Sequence, residues 1–177
     1  MKIGSLIRYQ RTKLGMTHNE LAMGICSIPH LSKIEHNSKE GNSETIRLLL
    51  EKLNIQLPEV KNDEQHIIWL LEELQKHIKY LEKEKALEVM ESLKKYEELI
   101  VFTGSIYLYE LYKLRYYVFI NDSELAKNQL NWLNNNKQNF SQHEKYLHLY
   151  FSGLVLLLEG KYIEADVRFS RILREYS

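Results

Sequence analysis

Thr17 to Glu35, THNELAMGICSIPHLSKIE, constrains the fold of this chain more than any other stretch. Thr17 and Glu20 stand at capping-box spacing, where the hydroxyl accepts one free helix N–H and the carboxylate reaches back to another. Leu21, Ala22 and Ile25 follow as an apolar stripe at helical spacing. Cys26-Ser27 interrupts the stripe, and Ser27 is placed to cap a second short helix with Pro29 near its start, where a missing N–H costs nothing. Leu31 and Ile34 point inward from that second helix. Ile28, Pro29, His30 and Lys33 are left on its outer face.

The flanking segments complete a small helical core. Ile3 to Leu14 reads as a first helix with Ile3, Leu6, Ile7 and Leu14 inward, ended by Gly15 as a C-terminal stop. After a polar loop from His36 to Asn42, Asn42 or Ser43 caps a helix running to about Leu53, with Ile46, Leu49, Leu50 and Leu53 on its apolar side. A short helix with a dry inner face and an exposed N-terminal outer face, braced by a partner helix, is what a DNA major groove accepts. The stretches LIRYQRTKLGMTHNELAMGI and LSKIEHN resemble the phage-repressor (Cro/cI, or XRE) helix-turn-helix family, with Arg11, Gly15, Thr17, Glu20, Leu21, Ala22, Ser32, Ile34 and Glu35 at matching positions. The resemblance covers about 53 residues. It implies a lambda-repressor-like domain in which Arg11 and Glu35 form an internal ion pair. His18 stands where the family usually carries a Gln that reaches DNA, and the usual Pro beyond the recognition helix is replaced around Gly41-Asn42. The expected DNA-facing set is His18, Ser27, Ile28, Pro29, His30 and Lys33, with Arg8 on the phosphate backbone.

Composition narrows the rest. Seven Gly and two Pro in 177 residues are too few punctuators for many β-turns, so the expected fold class is all-α. Apolar content of 44% and charged content of 27% describe a globular chain rather than a disordered one. The net charge of zero hides an asymmetry: residues 1–61 hold nine Lys/Arg against six Asp/Glu, and the remainder fifteen against eighteen. A basic head on an acidic body fits DNA contact confined to one end. The single cysteine, Cys26, rules out an internal disulfide, suits a reducing compartment and sits in an apolar turn where a packed thiol is expected. No signal sequence opens the chain, and the most apolar run, Leu154 to Leu158, is far too short to cross a bilayer. The expected location is the cytoplasm, with no membrane partner. His143 and His148, five apart, fall on different helix faces, and there is no HExxH, cysteine pair, phosphate loop or nucleophile motif. Neither a metal, another cofactor nor an enzyme activity is expected.

Beyond Pro58 the sequence repeats. KALEVMESL, ELAKNQLNWL and IEADVRFSRIL align at a period near 40, with Ala86, Ala126 and Ala165 in register. Met90, Leu130 and Phe169 then fall four residues on, and Leu93, Leu133 and Ile172 seven on. Leu74, Leu114 and Gly153 lie twelve residues before the alanines, each inside a preceding apolar helix. A small residue followed by bulky ones lets one helix press close to its neighbour while filling the layer beyond. Asn121 with Glu124 and Ser141 with Glu144 stand at capping-box spacing at the breaks. The last unit resembles the tetratricopeptide repeat, with Gly153, Tyr162, Ala165 and Phe169 at matching positions. An irregular helical bundle is the alternative arrangement. The expected organisation is a helix-turn-helix domain over 1–57, a linker over 58–63 and about three repeat-like helix pairs over 64–177. The third pair ends without a polar capping helix. Either the chain is part of a longer one, or another chain covers that face.

An XRE head followed by helical repeats resembles the Gram-positive peptide-pheromone receptors, the group that includes PlcR, NprR, Rgg and PrgX. The resemblance implies a homodimeric transcriptional regulator that binds double-stranded DNA at a palindromic operator and senses a short signalling peptide in its repeats. Tyr107, Tyr109, Tyr112, Tyr116 and Tyr117 then have two uses: packing between repeats, or a peptide-binding surface offering area and hydrogen bonds at low entropy. Carried over from the repeat resemblance, the peptide-lining residues fall at Gln75, Lys79, Arg115, Phe119 and Tyr150. A second function also fits the residues: a non-catalytic adaptor or antirepressor whose repeats dock a protein, since Ile28 and Pro29 are apolar where base readout wants hydrogen bonds.

Overall fold

Every regular element among the residues described, 2–37 and 41–175 of the computed structural model, is helical. The chain divides into two compact units: a head that runs to His66 and takes back Leu99–Gly104, and a body formed by the rest.

The head opens with α1 (Ile3–Lys13), α2 (His18–Ala22), α3 (Ile28–Glu35) and α4 (Ser43–Lys52). Each of the last three begins on a side-chain cap. Thr17 accepts from the Glu20 N–H while the Glu20 carboxylate takes the Thr17 N–H at 2.6 Å; Ser27 accepts from His30 and Asn42 from Thr45. These caps satisfy donors that the first turn of a helix leaves free. Residues 38–40, inside the loop expected from His36 to Asn42, lie outside the described residues. The core joins Ile7, Leu21, Ala22, Leu31, Ile34, Leu49, Leu50 and Leu53, with Ile3, Ile25, Cys26 and Ile46 packed around it. Leu14 departs from expectation. Helix α1 stops at Lys13, so Leu14 is the cap residue that leads into Gly15 (φ 67°), and its side chain is 51% exposed.

Close approach of α1 to α3 depends on Gly4. A Cβ there would run into the Ile34 carbonyl oxygen and meet Asn37 Oδ1 at 2.7 Å. The returning segment Leu99–Gly104 also belongs to the head: Lys2 N–H donates to the Phe102 carbonyl at 2.9 Å, and the Phe102 ring lies 5.2 Å from that of Tyr9. Gly104 N–H reaches the Glu64 carboxylate at 3.3 Å. The segment expected as a linker, 58–63, is helical, because α5 runs unbroken from Leu57 to Lys79.

The body contains the end of α5, then α6 (Lys83–Lys94), a short α7 (Glu97–Ile100) that leads into the head segment, α8 (Ile106–Phe119), α9 (Ser123–Asn136), α10 (Gln142–Leu158) and α11 (Tyr162–Glu175). A 3-10 turn, Lys137–Asn139, links α9 to α10. Helices α8 with α9 and α10 with α11 pack as hairpins, and α10 lies against both α8 and α9. Ala86, Ala126 and Ala165 are all completely buried, as are Leu93 and Leu133. Leu130, Phe169 and Ile172 are half-buried. Leu74, Leu114 and Gly153 sit inside too, and a Cβ on Gly153 would meet the Phe169 ring at 2.6 Å.

The turns repeat as closely as the helices do. Leu81 (φ 59°), Asn121 (φ 58°) and Gly160 (φ 74°) each stand five residues before a register alanine in the left-handed conformation. At each, the next residue's N–H reaches back to close a Schellman cap: Glu82 to His77, Asp122 to Tyr117, Lys161 to Leu156. This explains a correction at the second turn. Asn121 does not cap α9, since it is spent on the left-handed position; Asp122 is the cap, accepting from Leu125 at 2.9 Å. Ser141 and Glu144 do form a capping box at the start of α10.

Candidate nucleic-acid interface

Glu35 ends α3 and is 2% exposed. A buried carboxylate needs partners, and two helices supply them. Arg11 of α1 donates from Nε to Glu35 Oε1 at 2.7 Å and from Nη2 to Oε2 at 3.0 Å, the forked geometry a guanidinium offers a carboxylate. Its remaining Nη1 donates to the Met16 carbonyl at 2.9 Å, fixing the turn between α1 and α2. His18, first residue of α2, places Nε2 3.0 Å from Glu35 Oε2 and 3.4 Å from Arg11 Nη2. The hydrogen bond from Arg11 to Glu35 raises the guanidinium pKa above its ordinary value. One buried carboxylate therefore pins α1, the following turn, α2 and α3 together.

That clamp anchors the C-terminal end of α3 to α1 and α2. Ser27, Ile28, Pro29 and Lys33 are exposed on the outer face of α3, and His30 is half-buried. Arg8 is exposed on α1. Of the expected DNA-facing residues, His18 has its Nε2 held against Glu35 while 38% of its side chain is exposed. Ser27 has its hydroxyl engaged as a cap yet lies at the surface. Sequence reasoning had no sign of the Met16 carbonyl as an Arg11 partner. It also missed Lys52 Nζ, which donates to the Met23 carbonyl at 2.9 Å and ties α4 to the end of α2. Such bonds to backbone oxygens leave no residue-type signature. Cys26 packs against the head core, and burial pushes its thiol pKa up.

In the body the expected peptide-lining residues part company. Gln75 is exposed, but its Oε1 accepts from the buried Tyr112 hydroxyl at 3.0 Å. Lys79 lies over the Tyr80 ring, 5.7 Å from its centroid. Arg115 is half-buried on α8, where burial lowers its pKa and the Tyr150 phenol acts in the opposite sense. Tyr150, on α10, stands among the rings of Tyr146, Phe151 and Phe169 at 5.5 to 6.4 Å. Phe119 is a correction. It is buried in the interior at the end of α8 and lines no surface. Tyr109, Tyr112 and Tyr116 are buried as well, while Tyr107 and Tyr117 are half-buried, so packing takes most of that aromatic run. Among the described residues no group of three or more His, Cys, Asp or Glu is placed to hold a metal, and no helix is long and apolar enough to cross a membrane.

A family model described as Helix-turn-helix matches residues 7–60, which takes in the clamp and the whole of α3. The transcriptional activator NprA of Geobacillus stearothermophilus is 28% identical over 145 residues, which is 82% of this chain. The chain spans 36% of that relative's length. A crystal structure of Bacillus thuringiensis PlcR in complex with the peptide PapR7 and DNA aligns over 98% of this chain and 79% of its own, at 16% identity and a TM-score of 0.40. That likeness is too loose to carry geometry across.

Proposed function

We propose that this chain is a sequence-specific DNA-binding transcriptional regulator, and that its helical repeats mediate dimerisation and sense a short signalling peptide. The observation that carries the reading is the exposed face of α3, with Ser27, Ile28, Pro29 and Lys33 presented on a helix anchored through Glu35. The helix-turn-helix match over residues 7–60 and the likeness to a transcriptional activator support it. On this reading Lys33 reaches a base edge or a phosphate, Ile28 meets a thymine methyl, and Arg8 meets the backbone. A single α3 reads only a few base pairs. A two-fold dimer on an inverted repeat, with half-sites about 34 Å apart or a multiple of that, supplies the remaining specificity. The protein acts in the cytoplasm and catalyses nothing. Its functional parts are the helix-turn-helix head and the repeat body, with Arg115 and Tyr150 facing a peptide.

A second reading is favoured by one feature: the first outer residues of α3, Ile28 and Pro29, offer DNA no side-chain hydrogen bond. It makes the chain an adaptor whose repeats dock a protein. Selection of a random duplex library by the full chain at low salt separates the two. Enrichment of an inverted repeat, with affinity falling steeply as salt rises, supports the regulator. Failure to enrich any duplex gives the adaptor its place.

A further inference from the structure

His18 Nε2 lies 3.0 Å from Glu35 Oε2 and 3.4 Å from Arg11 Nη2. Glu35 already takes two N–H bonds from Arg11, so it meets the imidazole as a carboxylate. A lone pair on Nε2 would face that oxygen across the shorter of the two contacts. The hydrogen-bond network therefore assigns a proton to Nε2, which donates to Glu35. The other ring nitrogen is left over. Among the described residues Nδ1 has no hydrogen-bond partner, and no unpartnered side-chain nitrogen or oxygen is buried, so Nδ1 is open to water. In the neutral ring it carries a lone pair, and only a second proton turns it into a donor.

In helix-turn-helix docking the second helix enters the major groove and the first crosses the phosphate backbone. Here α3 is the groove helix, and α2, which His18 opens, is the crossing one. A phosphate oxygen is repelled by a lone pair but accepts strongly from an imidazolium N–H. We infer that DNA binding by this chain takes up a proton at His18: Nε2–H stays on Glu35 while a protonated Nδ1 donates to a DNA phosphate. The charges within hydrogen-bond distance of the ring are the Glu35 carboxylate and the Arg11 guanidinium. Other charged groups on α2 and on α4, which packs against it, are engaged elsewhere. Glu20 closes the capping box on Thr17, Lys52 donates to the Met23 carbonyl, and Arg47 pairs with Glu44 and Glu51. An amide at position 18 donates at every pH, whereas the histidine makes the contact conditional on acid. The inference rests on the DNA-binding reading and adds proton linkage to it.

Affinity of the full chain for its selected duplex, measured from about pH 6 to about pH 8 at constant ionic strength, tests it, since an imidazole changes charge in that span. Binding about 10-fold tighter at the acid end is expected, the worth of one hydrogen bond to a charged group. In His18→Gln, which keeps an N–H for Glu35 and whose helicity is checked by circular dichroism, the ratio falls to about 1. His30→Gln retains the wild-type ratio. In the wild type, replacing phosphates one at a time with uncharged methylphosphonates abolishes the pH dependence at a single position per half-site. A scan in which every position keeps the dependence overturns the phosphate contact. A wild type that binds the duplex equally across the span, or more tightly in base, overturns the proton linkage and leaves the regulator reading standing. A ratio that survives His18→Gln does the same. A chain that binds no duplex at any of these pH values overturns the regulator reading and the inference together.

Discussion

Arg11 on α1 grips Glu35, the last residue of α3, through two hydrogen bonds at 2.7 and 3.0 Å, with Glu35 2% exposed. Breaking a buried pair from one side costs more than the pair contributes, because the remaining charge is stranded. Glu35→Gln keeps the volume but removes the charge, leaving Arg11 with a neutral acceptor. It is expected to lower unfolding free energy by about 3 kcal/mol. Urea denaturation at neutral pH measures this. An unchanged midpoint means the clamp does not hold the head.

Gly4 sets how close α1 comes to α3. An added methyl has nowhere to go, since the Ile34 carbonyl is backbone and does not rotate away. Gly4→Ala is expected to cost about 2 kcal/mol or more through forced separation of the helices. Gly104→Ala meets nothing within 4 Å and serves as the neutral control. Equal melting temperatures for the two variants contradict the packing described.

Leu81 is a branched residue held at φ 59° with its side chain 75% exposed. The same turn position is Asn at 121 and Gly at 160, residues that tolerate the left-handed region. Leu81→Gly is expected to stabilise the chain by roughly 1 kcal/mol, because it relieves the Cβ clash and loses little burial. A fall in melting temperature means the exposed leucine has a partner in the folded state.

His148 is the titratable group whose environment most clearly opposes protonation. Burial, then Arg168 and Lys137, push its pKa from 6.5 down to about 4, and its Nε2 lies 2.9 Å from Asn134 Oδ1. The unfolded chain binds the proton first, so stability is fully present above pH 6.5 and is lost as pH falls from there towards about 4. His148→Gln should flatten the dependence of melting temperature on pH across that window. A wild-type curve already flat there removes the argument.

Local chemistry was the legible part of this molecule. Thr17 with Glu20, Ser27 and Ser141 with Glu144 are caps readable from residue type and spacing alone, and the structure forms them all; of Asn42 and Ser43, both readable as the cap of α4, it uses Asn42. The alanine register at 86, 126 and 165 was readable because only a small side chain allows such close helix approach. The misreadings arise where two local solutions compete. Asn121 suits both a cap and a left-handed turn, and the Schellman closure decided for the turn. Pro58 suggested a break, but it falls in the first turn of α5, where a missing N–H is harmless. Leu99–Gly104 joining the head left no trace in the sequence. Its bonds run through the Phe102 carbonyl and the Gly104 N–H, and every residue has such groups. Phe119 looked like a lining residue only because repeat resemblance fixes position, whereas burial depends on neighbours from other helices.

The central claim is that the outer face of α3 reads DNA. The most direct test measures affinity of the full chain for its selected duplex and for a scrambled duplex, before and after Lys33→Ala. The account predicts tight binding to the selected site and a loss of about 1–3 kcal/mol in the variant, larger on the selected site than on the scrambled one if Lys33 reads a base. An equal loss on both marks Lys33 as a phosphate contact. Wild type that binds both duplexes equally, or neither, contradicts the claim.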